Sequence, residues 1–137
     1  MRRAFLSALL ALGACAPPPL QNAAPACAAP LKPAVQVDLY FGREIAGSRE
    51  VSEAEWAAFV TEEVTPRFPD GLSVVDVRGQ YRNPDGRIER ERTKLLVVVV
   101  FDAPAHATKV QAVIDAYRRR YGQYSVFHVE RPVCAGV

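Results

Sequence analysis

Seven consecutive apolar residues, Leu95-Leu96-Val97-Val98-Val99-Val100-Phe101, constrain the fold of this chain more than any other segment. The run is far shorter than the ~20 residues that a helix needs to cross a bilayer. It has the length of a buried strand, and it is apolar at both alternating sets of positions, so both of its faces must be covered. Such a strand belongs in the middle of a sheet, with neighbours on either side.

The rest of the chain supplies those neighbours. Val35, Val37, Leu39 and Phe41 alternate with Gln36, Asp38 and Tyr40, which predicts a first strand that Gly42 ends. Ser52 and Glu55 form a capping box, with Val51 and Trp56 as its hydrophobic staple, so a helix starts there. Trp56, Phe59, Val60 and Val64 share its apolar face, and Pro66 stops it. A second strand is expected from Leu72 to about Arg82 and a third from about Ile88 to Phe101. Asn83-Pro84-Asp85-Gly86 joins them, because Pro, Asp and Gly provide the fixed and positive φ angles of a tight turn. A second helix should run from about Pro104 to Tyr121, with Val110, Val113, Ile114 and Tyr117 inward, Arg118 to Arg120 in its last turn and Gly122 as its cap. A last strand follows from Tyr124 to about Val129. The order βαββαβ predicts an α+β, ferredoxin-like domain over residues 34–137, with a four-stranded antiparallel sheet and two helices on one face.

What precedes the domain bears on its address. Arg2 and Arg3 lead into the apolar stretch Ala4 to Leu12, the pattern of an export signal over residues 1–14. Leu12-Gly13-Ala14-Cys15 resembles the lipobox of bacterial lipoproteins, which implies acylation of Cys15, and each buried methylene of such chains contributes ~0.8 kcal/mol of membrane binding. Ala16, in place of Asp, favours the outer membrane. The alternative is cleavage at Ala14-Cys15-Ala16 by an ordinary signal peptidase, which would release a soluble periplasmic protein. Residues 15–33, rich in Ala and Pro, read as an extended tether.

Removing residues 1–14 leaves 123 residues, and half the chain is hydrophobic, enough for one domain with a real core. Of 17 basic side chains, two leave with the signal, so 15 face 15 acidic ones. This balance argues against a nucleic-acid partner. The partners expected are instead the membrane, through the lipid, a second copy of the chain, or another envelope protein. With Cys15 acylated, Cys27 and Cys134 form an even pair in an oxidising compartment and are expected to bond. The topology agrees, since the end of the last strand meets the start of the first. Free thiols or a metal pair are the alternatives, but neither cysteine has a His or Cys at zinc-ligand spacing. No metal site and no cofactor is expected.

No catalytic motif stands out. The face opposite Val35, Val37 and Leu39 carries Asp38 and Tyr40, and neighbouring strands were expected to add Arg78, Gln80, Lys94, His128 and Glu130 to it. The simplest reading is a solvated sheet face forming part of a non-catalytic binding module. The sharper one is a pocket closed by a second subunit, with His128 as base, oriented by Asp38 or Glu130, and Arg78 holding an anion. A third is a structural accessory of an envelope assembly. Leu96, Val98 and Val100 are expected to expose an apolar stripe there, which face-to-face dimerisation would cover. His106 reads as a surface residue. Arg87, Arg90, Arg92 and Lys94, interleaved with Glu89 and Glu91, are expected to form cross-strand pairs.

Six motifs carry a resemblance: Leu39-Tyr40-Phe41-Gly42; Trp56 with Phe59; Thr65 to Leu72; Gly79-Gln80-Tyr81-Arg82; Glu91-Arg92-Thr93-Lys94; and Pro132-Val133-Cys134. On these the chain resembles, over roughly residues 35–134, a bacterial lipoprotein family of unknown function (domain of unknown function 3574). The resemblance implies domain limits and an envelope location, and no activity.

Overall fold

The computed structural model describes residues 26–45 and 49–136; Cys15, the signal and most of the expected tether lie outside them. The elements are β1 (Lys32–Gly42), β2 (Glu44–Ile45), β3 (Arg49–Glu50), α1 (Glu53–Phe59) with a π-helical continuation over Val60–Val64, β4 (Ser73–Arg82), β5 (Ile88–Val100), α2 (His106–Tyr121) and β6 (Phe127–Ala135). The main sheet has the order β4-β5-β1-β6 with antiparallel neighbours throughout. This is the ferredoxin-like α+β fold expected from the periodicity, with β5 interior. The short β2–β3 ribbon was not foreseen. No helix among the described residues is long and apolar enough to cross a membrane.

The signals that set element ends act as expected. The Ser52 side chain accepts from the Glu55 N–H at 3.2 Å, and the Glu55 carboxylate accepts from the Ser52 N–H at 2.8 Å. Gly122 caps α2 with φ of 63°, and Gly86 has φ of 83° in the β4–β5 turn, where side chains other than glycine are strained. The first helix departs from regular α geometry at its end. Phe59 and Val64 are both buried, yet five α-helical residues would set them about 140° apart. The wider π turn, with the Thr65 N–H donating to the Val60 carbonyl at 2.9 Å, brings both to the core.

Two strands run past their expected limits. Lys32 and Pro33 pair with Ala135 and Cys134, so β1 absorbs the last residues assigned to the tether, and β6 continues beyond Val129. Pro33 and Pro132 are accommodated within these strands because β6 is an edge strand and Pro33 precedes the β1–β5 pairing, so neither interrupts a central ladder. A Cys27–Cys134 disulfide, with 5.6 Å between Cα atoms, staples this end of the sheet.

The core lies between the sheet and the helices. Phe41 packs on Trp56, Phe59 and Tyr117 with ring centroids 5.2, 5.8 and 4.7 Å away. The Tyr117 hydroxyl donates to the Gly42 carbonyl and the Tyr121 hydroxyl to the Glu55 carbonyl, both at 2.9 Å, so each buried phenol is satisfied. At the start of α1 a charged knot ties helix to sheet. Lys94 Nζ reaches Glu53 at 2.7 Å and Asp76 at 2.6 Å, and Arg43 reaches Glu53 at 2.6 Å and the Val51 carbonyl at 2.8 Å.

The disulfide closes nearly the whole domain, so replacing both cysteines by alanine should lower unfolding stability by about 3 to 5 kcal/mol, read by urea titration of the oxidised protein. A smaller pH-dependent contribution comes from Glu55. Hydrogen bonds from Arg49, and then from Ser52, pull its pKa from 4.5 to about 2. Because the folded value is depressed, the contribution is complete above pH 4.5 and fades as pH falls toward 2. The difference in urea midpoint between wild type and Glu55→Gln should therefore be present at pH 6 and gone near pH 2.

Candidate functional site

Residues paired across an antiparallel ladder share a face of the sheet, so the registers decide which side chains meet. Asp38 lies opposite Val97 on β5 and Val129 on β6, and Tyr40 lies opposite Leu95 and Phe127. These residues, with Val99, Val75 and Arg131, form the face that no helix covers. Val35, Val37, Leu39 and Phe41 point the other way, into the core, as expected.

The apolar stripe of β5 is offset by one residue from its expected position. Leu96 and Val98 are 0% and 1% exposed and belong to the core, with Val100 beside them, whereas Leu95, Val97 and Val99 occupy the open face. Both sets are apolar, so the segment alone carries no mark of which set turns inward; the pairing with β1 decides it.

The same registers divide the expected constellation. Asp38 and Tyr40 are on the open face. Arg78, Gln80, Lys94, His128 and Glu130 lie on the helix side, since Arg78 pairs with Arg92, Gln80 with Arg90, Asp76 with Lys94, His128 with Leu39 and Glu130 with Val37. A base at His128 oriented by Asp38 is therefore excluded by geometry. The Asp38 side chain points to a different partner that the sequence reading missed: it is 4% exposed, ion-paired with Arg131, and accepts from Gln36 Nε2 at 2.8 Å. Tyr40 stacks on Phe127 with ring centroids 5.5 Å apart. The only available signal for Arg131 was its place in an extended β6, which Pro132 obscured.

On the helix side, Glu130 bridges two histidines. His128 Nε2 lies 2.9 Å from Glu130 Oε1, and His106 Nε2 lies 3.3 Å from Glu130 Oε2. His106 is 4% exposed, a correction to its expected place on the surface; the start of α2 packs over β6 and encloses it. Neither ring nitrogen of His106 has a well-formed hydrogen bond among the described residues. The spacing of His128 and Glu130 by two residues signals a shared strand face, but nothing local marks His106 as the third member. Among the described residues no group of three His, Cys, Asp or Glu side chains is placed to hold a metal.

The charges of the β4–β5 hairpin also depart from expectation. Arg92 faces Arg78 and Arg90 faces Gln80, while Glu91 faces Gly79 and Glu89 faces Tyr81. The expected cross-strand pairs between Arg and Glu do not form within the hairpin. Arg92 instead reaches Glu50 on β3 at 3.4 Å, whereas Lys94 does form an expected cross-strand pair, with Asp76 directly opposite on β4, and also reaches Glu53.

No curated protein matches this chain in sequence. In three dimensions the chain is similar to a phage SAM lyase in complex with S-methyl-5'-thioadenosine, at 15% identity and a TM-score of 0.59 over 74% of this chain and 90% of that one. A phage SAM lyase in its apo state gives 16% identity and a TM-score of 0.57, covering 74% and 84%. CutA1 from Oryza sativa gives 9% identity and a TM-score of 0.51, covering 78% and 85%. Likeness at such identities is one of fold. In sequence, residues 36–136 match the profile of a family described as Protein of unknown function (DUF3574), close to the limits expected from the six motifs. The chain belongs to that family.

Proposed function

We propose that this protein is a lipid-anchored envelope protein whose domain serves as a non-catalytic association module, pairing with a second copy through the open face of the sheet. The observation that carries this reading is the uncovered apolar stripe Leu95, Val97 and Val99, flanked by Val75, Tyr40, Val129 and Phe127, the last 66% exposed. Asp38 lies near the centre of this stripe, and Arg131 already neutralises it, so covering the stripe there would not bury an unpaired carboxylate. A second copy presents the same apolar stripe and the same neutralised centre, which suits an isologous contact. Confinement to a membrane surface would raise the effective concentration of the copies and favour pairing.

The envelope address rests on Cys15 and on the disulfide. A Cys27–Cys134 bond suits an oxidising compartment, which agrees with export. An anchor at Cys15 followed by residues 16–31 would hold the first strand off the membrane, leaving the open face free to meet a neighbour.

Two measurements test the two parts. Sedimentation velocity of the full chain should show a dimer that Val97→Lys converts to a monomer with an unchanged circular dichroism spectrum; a wild type that stays monomeric at every concentration removes the association. Cys15→Ser should abolish incorporation of labelled palmitate and move the chain from the membrane to the soluble fraction, and unchanged labelling removes the anchor.

A further inference from the structure

The β4–β5 hairpin sorts its charges by face. Along β5 the signs alternate, Glu89, Arg90, Glu91, Arg92, and successive strand side chains point to opposite sides. Alternation in sequence thus becomes segregation in space. On the helix side Arg78 stands directly opposite Arg92, Gln80 opposite Arg90, and Arg82 follows at the next position; Glu89 and Glu91 are on the other side. Like charges facing each other across an antiparallel pair destabilise the sheet, so this arrangement is costly unless something negative offsets it.

The chain itself offsets only part of it. Arg92 is held by Glu50 at 3.4 Å and Glu53 at 3.9 Å, and Lys94 is held by Glu53 and Asp76. Arg78 and Arg90 make no ion pair and no side-chain hydrogen bond with any described residue. Arg78, Gln80, Arg90 and Arg92 line an open depression of about 560 Å³, whose lining Gly79 and the acids Glu50 and Glu91 complete. Among the described residues β4 is exposed along its length apart from the half-buried Val77.

We propose that this depression binds a phosphate-bearing anion, with Arg78 and Arg90 as its two cationic forks and Gln80 as a neutral donor. A guanidinium presents a planar pair of N–H groups that matches two oxygens of one phosphate. Two such forks and an amide offer more donors than the two oxygens of a single carboxylate can accept, whereas a phosphate group has oxygens directed to several sides. The anion would also supply the charge that the Arg78–Arg92 facing pair lacks. The site is on the opposite side of the sheet from the association face, so either proposal can fail without the other.

The test is calorimetric titration of the full chain with inorganic pyrophosphate, alongside flotation with phosphatidylcholine vesicles with and without phosphatidylglycerol. Binding of pyrophosphate should saturate at one per chain and weaken by about tenfold or more in Arg78→Gln/Arg90→Gln. Arg118→Gln/Arg119→Gln, which removes the same charge from the end of α2, should bind as wild type does. If free pyrophosphate is ignored but phosphatidylglycerol increases flotation with this same dependence on Arg78 and Arg90, the phosphate is that of a lipid headgroup. Absence of binding to both probes, or equal weakening in the two double variants, overturns the site.

Discussion

The pairing of β1 on both sides is the constraint on which the rest of the structure depends. β1 bonds to β5 along one edge and to β6 along the other, and its register sends Val37, Leu39 and Phe41 into the core. A slip of one residue would bury Asp38 among the helices and expose Phe41, so burial and pairing enforce the same alignment. The disulfide acts on this unit too, because Cys134 is paired in register with Pro33, the second residue of β1.

From that alignment follow two kinds of polar interior. On the helix side, burial alone would lower the pKa of Lys94, but the hydrogen bonds it donates to the Asp76 and Glu53 carboxylates outweigh it and raise the value. The ammonium therefore stays charged and links β4, β5 and α1. On the open side, Asp38 is nearly enclosed and answered by Arg131 and Gln36. Removing Arg131 would leave the nearly enclosed Asp38 carboxylate without its cation, which is the costly direction for such pairs. The ring cluster around Phe41 fills the space between these polar tie points, with Tyr117 and Tyr121 reaching carbonyls at its margin.

The two sides of the sheet therefore differ in chemistry. The open side has an apolar centre with a neutralised acid, suited to contact with another surface. The helix side of the protruding hairpin has excess arginine, suited to a small anion. The buried His106 and the His128–Glu130 pair form a third polar cluster, at the far edge of the same side, where the start of α2 meets β6.

The sequence by itself determined the four strands of the main sheet, the two helices, their order and the disulfide. Hydrophobic period, the Ser52–Glu55 capping box, the Asn83 to Gly86 turn and the Gly122 cap are local signals, each acting within a few residues and therefore readable without the fold. The topology of βαββαβ then brought Cys27 and Cys134 together. Only the tertiary structure decided which side chains share a face. A strand with apolar residues at every position, such as Leu95 to Val100, is compatible with either orientation. The choice belongs to its pairing with β1, and it separated Asp38 from His128. The tertiary structure also decided that His106 is enclosed and that the Arg set of β5, not the Glu set, lies on the helix side. These outcomes depend on neighbours distant in sequence, and a one-residue difference in register would exchange the two faces of a strand.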